Sequence, residues 1–405
     1  MTTRADVPYF DVADPAFSVQ SDEVRAARQV GWYARTNYGL AVLRYDEVSK
    51  LLKDRRLVQG SAKWPERNGV IGGAFAHWWS DSLLNLEGED HHRIRRLLIP
   101  AFSPKLIERF VPRFQALADE LVDEFAEAGR CEFMTQFAEP YAARVLAIML
   151  GIPESEWRTI SAWSNDIGLA LAVTIRQDID TIHAALDGLY GYAGDLIRDR
   201  MANPGDDFVS RLVLAHRDDD RLSDAELRNA IVLLIFAAMD TTRNQLGLAL
   251  HTFLRYPDQW ELLAERPDLG RAAVEEIMRV NPTTTWVTRE AAVDFEFQGV
   301  HIPAGTTVHL FTESAGTDPL ALPEPAFDIT AKRAPHFAFG GGVHHCLGHF
   351  VARSDMSVAL PLLARRLRHP RLDGEVRALP MSGNTGFVAL PVAFGPENRS
   401  PEVLS

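Results

Sequence analysis

From Ser223 to about Arg255 apolar residues recur at helical spacing, and Ser223-Asp224-Ala225-Glu226 at the front has the form of a capping box. Leu222 and Leu227 are placed to close it as a hydrophobic staple. A helix of that span runs roughly 45–50 Å at 1.5 Å per residue, long for a globular protein and demanding on any fold that holds it. Its most apolar part, Ala230 to Met239, is too short to cross a bilayer and stops at Asp240. Asp240 and Thr241 interrupt an otherwise apolar helix, and a buried carboxylate is costly. A mid-helix Thr can bond back to a carbonyl one turn earlier. On these residues alone, a local kink with a solvated Asp and a working acid–alcohol pair both stand.

A second feature lies near the C-terminus. Phe339-Gly340-Gly341-Gly342-Val343-His344-His345-Cys346-Leu347-Gly348 presents one thiol in a glycine-rich loop, ahead of an apolar helical run from Leu347 to Leu367. Glycines permit positive φ and a close approach to a flat ligand. Unpaired amides and the helix dipole favour a thiolate at a helix start. Such a thiolate suits a soft metal or haem iron. Half a zinc site and an inert buried cysteine are the competing readings. Zinc needs further ligands, and Cys131, the other cysteine, has no Cys or His within several residues.

These ten residues resemble the haem-binding signature of the cytochrome P-450 superfamily, Phe-Gly-x-Gly-x-His-x-Cys-x-Gly, at every fixed position. The resemblance implies a mainly α fold with small β-sheets, an α+β triangular fold around a long central distal helix. It implies haem b (iron protoporphyrin IX) with Cys346 as the metal ligand, Phe339 packed beside the sulfur and Gly348 completing the loop. Ala237-Ala238-Met239-Asp240-Thr241 resembles the superfamily's distal-helix motif. There Ala237 lies over the haem, and Asp240 and Thr241 are the catalytic pair that relays protons in oxygen activation. Ala238 departs from the pattern, because the family usually has Gly there.

The remaining carry-overs are more dispersed. Glu276-x-x-Arg279 puts two charges on one helical face and resembles the superfamily's structural ion pair. Its usual third Arg would fall on Ala331, so Arg333, or else Lys332, is expected to supply that charge. His91-His92-Arg93-Ile94-Arg95-Arg96 resembles the family's His-x-Arg-x-Arg helix. His91, Arg95, Arg289 and His344 then form a propionate set, with Arg96 and Arg93 assigned to a solvated face. Arg96, Lys105, Arg109 and Arg353 make a candidate basic patch for an acidic electron donor. The superfamily's pocket regions fall on Trp79, Leu83, Ile167, Leu171, Leu234, Thr284, Trp286, Thr385 and Phe387, with Trp64, Phe75, Trp78, Leu169, Thr283 and Asn384 beside them. Such a set predicts an apolar pocket with an aromatic wall and a few hydroxyls.

Pattern adds helices over Pro112–Gly129 and Tyr141–Leu150, a short strand at Leu40–Leu43, and a hairpin or meander within Val293–Phe311 turning at Pro303-Ala304-Gly305. No linker or repeat divides the 405 residues, so one haem domain over 1–405 is expected. A net charge of −13 disfavours nucleic acid, and two cysteines fit a reducing compartment. With no apolar leader in the sequence, a cytoplasmic monomer without a membrane span is expected.

The function implied is that of a monooxygenase. It would oxidise a small apolar substrate with O2 and two electrons from a ferredoxin or flavodoxin and its reductase. A peroxide-driven peroxygenase is the alternative enzyme, and the Asp240-Thr241 pair argues against it. A haem-based ligand sensor is the alternative from another class, and the apolar distal helix and the lack of a signalling domain argue against that.

Overall fold

In the computed structural model, residues 7–14, 16–172, 174–215, 222–379 and 383–395 are described. The long helix spans Asp224–Leu254, 31 residues. Both halves of its capping box form: Ser223 Oγ accepts from the Glu226 N–H at 3.2 Å, and Glu226 Oε2 accepts from the Ser223 N–H at 2.7 Å. Leu222 and Leu227 are both buried beside the cap. Leu227, Ile231, Leu233, Phe236, Leu248 and Leu250 are buried around the whole circumference, as expected of a helix that is apolar on all sides.

Three helices pack against this central rod: Glu139–Leu150, Trp157–Gly168 and Ile179–Ala202. Behind them the helix His349–Arg366 packs on Val111–Asp123, Pro257–Glu265 and Gly270–Val280. Gly270 makes one of these contacts possible. A Cβ there would stand 2.2 Å from Ser357 O, the carbonyl one turn before the in-helix Pro361. A proline gives that carbonyl no amide partner, and the glycine lets the neighbouring helix close over it.

Two expected helices shift at their ends. The first runs Val111–Asp123, and a short 3-10 turn fills the gap before left-handed Gly129. The second runs Glu139–Leu150 and ends on left-handed Gly151, as its Gly-Ile-Pro sequence predicts.

Strand pairing departs further from the pattern reading. A six-stranded mixed sheet has the order Tyr9–Phe10, Tyr33–Thr36, Gly39–Val42, Thr307–Phe311, Trp286–Ala291, Leu57–Gln59. The hairpin inside Val293–Phe311 is Phe295–Phe297 with Val300–Ile302, turned by Gln298 and Gly299, both at positive φ. Pro303-Ala304-Gly305 does not close a hairpin. It delivers Thr307–Phe311 to the centre of the large sheet, between Gly39–Val42 and Trp286–Ala291. A further strand, Arg130–Glu132, joins Pro391–Gly395 in a three-stranded sheet. Among the described residues no helix is long and apolar enough to cross a membrane.

Candidate active site

The cysteine loop is tied from both ends. The Cys346 N–H donates to Phe339 O at 2.9 Å, and the Gly340 N–H donates to Phe337 O at 2.8 Å. Gly340 and Gly342 sit at φ +68° and +66°, where a side chain would strain the backbone, and a Cβ on Gly342 would lie 2.5 Å from Leu52 O. The helix itself begins at His349, with Gly348 as its cap, so Cys346 stands three residues ahead of the first turn. Its open surface is the wall of an internal cavity, and protein surrounds it elsewhere. Burial pushes the thiol up from its usual range, while the Gly348 N–H and the Arg95 and Arg353 guanidinium groups pull it down.

The loop is braced by residues that pattern did not single out. Arg353 lies 4.3 Å over the Phe339 ring. It also pairs with Glu275, which meets His336 Nε2 at 3.1 Å. Burial opposes the charge on Glu275, yet hydrogen bonds from His336 and Arg353 hold its carboxyl down at about 2. Arg353 therefore faces inward, and the candidate docking patch loses it. Arg109 of the same patch is paired with Asp206. At least two of its four cations are thus neutralised within the chain. Arg93, assigned to a solvated face, instead pairs with Glu226 and ties Gly88–Leu98 to the cap of the long helix.

Facing Cys346 across the cavity is the middle of the long helix, with Ala237, Ala238, Asp240 and Thr241 on the wall. The acid and the alcohol do not touch each other there. Thr241 Oγ1 donates to Ala237 O at 2.8 Å. Asp240 Oδ1 accepts from Arg243 Nη2 at 2.5 Å and Oδ2 from Asn244 Nδ2 at 3.2 Å. Burial raises the Asp240 pKa, opposed by Arg243 and Asn244.

The cavity encloses about 530 Å³. Trp79, Leu83, Leu171, Leu234, Thr284 and Trp286 line it, as do Trp64, Thr283 and Asn384. Ile167 does not line it. It is wholly buried in the core on the last turn of its helix, whereas Leu171 follows the helix end at Gly168 in a 3-10 turn that no longer continues that face and reaches the opening. Thr385 and Phe387 also lie outside its lining. Thr385 is taken up by backbone pairing with Thr283, and the Phe387 ring packs 4.9 Å from His251. Phe75 and Trp78 are core residues, and Leu169 is partly exposed.

Basic groups gather beside the loop. His91 is 1% exposed, and neither ring nitrogen has a hydrogen-bond partner. Its ring centroid lies 4.3 Å from that of His344, whose Nε2 meets Glu87 Oε1 at 3.0 Å. Arg95 donates to His345 O and borders the cavity. Arg289, buried on its strand, donates to Gln59 Oε1 at 2.9 Å, and burial lowers it to about 10. On the other side, Glu276 and Arg279 form a buried pair at 2.6 Å, with Arg333 Nη2 3.5 Å from Glu276 Oε1. The shifted Arg333 thus stands where Ala331 left a gap. Among the described residues no group of three or more His, Cys, Asp or Glu side chains is arranged to hold a metal ion. One cysteine, an apolar chamber, and the orphaned His91 with Arg95, Arg289 and His344 at its edge suit a haem, whose iron needs one protein ligand and whose carboxylates need donors.

The family model for cytochrome P450 matches residues 171–394, more than half of the chain. The chain is 38% identical over 395 residues to luteothin monooxygenase of Streptomyces thioluteus, covering 96% of this chain and 97% of that protein. It belongs to the cytochrome P450 family. Nocardicin C N-oxygenase of Nocardia uniformis subsp. tsuyamanensis is 33% identical over 379 residues, 91% of this P450 and 94% of the relative. Among solved structures, CalO2 superposes with a TM-score of 0.85 at 29% identity, covering 94% of this chain and 99% of that one. P450BioI, solved with a fatty-acyl-loaded acyl carrier protein, gives a TM-score of 0.83 at 28% identity, with 92% and 97% covered. The mainly helical fold with small sheets is thus that of the family. Its cofactor is haem, and its members are oxidoreductases served by redox partners.

Proposed function

We propose that this P450 is a monooxygenase that inserts oxygen into a neutral, largely apolar organic substrate. Reduction would come from a ferredoxin or flavodoxin and its reductase. The observation that carries the reading is that Cys346 on one side and Asp240 and Thr241 on the other line one and the same cavity. Relatives named for luteothin and nocardicin C support a biosynthetic substrate, and the Trp64, Trp79 and Trp286 wall suits an extended apolar body. We read the chain as one haem b domain over 1–405, monomeric and cytoplasmic.

When bound, haem would supply oxygen binding and one-electron chemistry, with electron density pushed from the cysteine thiolate. Cys346 would hold the iron, its sulfur steadied by the Gly348 N–H and flanked by the Phe339 ring. His91, with both nitrogens orphaned, would take a propionate together with Arg95, Arg289 and His344. Ala237 presents only a methyl group to the chamber and leaves room for a flat ring system. Thr241 would turn its hydroxyl from Ala237 O toward the cavity and hold a proton there, and Asp240 would resupply it. The apolar wall excludes bulk water, so that protons arrive by this route.

The reduced protein under carbon monoxide should give the red-shifted band of thiolate ligation, and its absence would defeat the reading. Thr241→Ala should keep consuming electrons while product per electron pair falls several-fold. Full coupling in that variant would remove Thr241 from the relay.

A further inference from the structure

The sequence places an acid and an alcohol side by side, yet in the structure each is engaged elsewhere. Both Asp240 oxygens are taken, by Arg243 and by Asn244. Neither contact is incidental to the fold. Asn244 is wholly buried, and a Cβ on Gly386 would stand 2.5 Å from its Cγ, so the chain keeps that space for the Asn amide. Arg243 reaches off its own helix: Nη1 donates to Asn165 Oδ1 at 3.0 Å. Asn165 Nδ2 in turn donates to Glu139 Oε1 at 2.8 Å, an oxygen that also accepts from Ser161 Oγ at 2.8 Å.

The chain Asp240–Arg243–Asn165–Glu139 therefore crosses three helices. Asn165 and Ser161 lie one turn apart on Trp157–Gly168, and Glu139 opens Glu139–Leu150. The first of these helices runs straight into the short turn Leu169–Leu171, where Leu171 lines the cavity and Ala170 O accepts from Trp64 Nε1 at 2.8 Å. A ligand that presses on Leu171 must push on the segment that holds Asn165. Neither Arg243 nor Asn165 can itself pass a proton at neutral pH, since a guanidinium does not deprotonate and an amide does not titrate. The network is thus a tether and not a wire.

We propose that Arg243, held by Asn165 and through it by Glu139, is a positioning residue that keeps Asp240 turned from Thr241 until substrate displaces the helix Trp157–Gly168. The charged and titratable groups bearing on Asp240 are Arg243 on its own helix and Glu139 on the neighbouring one, with the Asn244 amide beside them. Withdrawing Arg243 removes an opposing charge from a buried carboxyl, so its protonated form gains. This rests on the reading of Asp240 as the relay acid, and the two can fail separately.

The test uses the full-length haem-loaded protein and clotrimazole, a bulky apolar azole, as the cavity probe. The Asp240 carboxyl is followed by infrared difference titration against Asp240→Asn, with and without the probe. In the wild type the probe should raise its apparent pKa by a unit or more. Asn165→Leu, which keeps the Asp240–Arg243 pair, should abolish most of that rise, and Glu139→Gln should reduce it. Arg243→Gln should show a raised pKa without the probe and no further rise with it. A probe-induced rise as large in Asn165→Leu as in the wild type, or none in the wild type, overturns the proposal. If Asp240→Asn leaves product per electron pair unchanged, the relay reading fails while the infrared result on the tether still stands.

Discussion

Glu313 shows at the scale of one residue how burial decides chemistry. It lies in the short helical turn Thr312–Gly316 after the strand Thr307–Phe311, and its Oε2 is buried without a partner. Burial pushes its carboxyl up to about 8, with Arg28 and Arg25 opposing. The folded state then binds a proton that the unfolded chain, titrating near 4.5, releases. Stability should therefore fall as pH rises from about 4.5 to about 8 and level off above that. Glu313→Gln should remove this slope. Melting curves should show it near wild type at pH 5 and clearly more stable at pH 9, a gain on the order of a few kcal/mol. Equal pH slopes for the two proteins would refute the assignment.

Residues differ in how far sequence betrays them. Cys346, Phe339 and the glycines stand out because their spacing serves one local geometry. Arg243 and Asn244 were missed as partners of Asp240, although positions three and four beyond it share its helical face and carry that signal. No local signal marks His336 or Glu275 as braces for Phe339. They meet only because a loop and a helix 61 residues apart in sequence pack together.

At the scale of elements, the long helix rests on its cap as well as on its apolar surface. Glu226 serves twice, bonding the Ser223 N–H and pairing with Arg93. Ser223→Ala should cost about 1 kcal/mol in chemical denaturation, and Glu226→Gln should cost more, because it also loosens Gly88–Leu98. Gly270 carries a different constraint. Gly270→Ala drives a methyl group into the Ser357 carbonyl and should destabilise by about 1–3 kcal/mol. An unchanged denaturation midpoint would mean that the two helices separate without penalty.

Helix existence was legible from apolar periodicity, and helix ends less so, because a 3-10 turn continues the same pattern past Asp123. Strand partners were not legible. Thr307–Phe311 follows a turn that reads as a hairpin, but it pairs with Gly39–Val42, more than 260 residues earlier in the chain. Side-chain alternation records which face is buried and carries no information about which strand lies alongside.

At the scale of the molecule, the cavity is closed by long-range contacts. The segment carrying Trp64 is pinned to the large sheet by Lys63 and Arg67, which meet Glu290 at 2.8 and 2.9 Å, and to the helical side by Trp64. Lys63 is exposed and Arg67 partly so, and water screens both pairs, so Glu290→Gln should change the melting temperature little. It should speed azole entry by two- to ten-fold in stopped-flow absorbance. The difference should shrink in high salt, where screening weakens the pairs in the wild type as well. An unchanged association rate would show that this segment does not limit access.

By itself the sequence determined the chemistry at the centre: a thiolate loop, an acid and an alcohol in a capped apolar helix, and a mainly helical chain around them. These are local matters, set by residue type and by spacings of a few positions. Only the tertiary structure decided that Asp240 and Thr241 are held apart, that Arg353 faces inward, that Arg333 and not Lys332 stands beside Glu276, and that Ile167, Thr385 and Phe387 lie outside the cavity. Each of these depends on which distant segment packs against which, and the free energy of that packing is shared over the whole core.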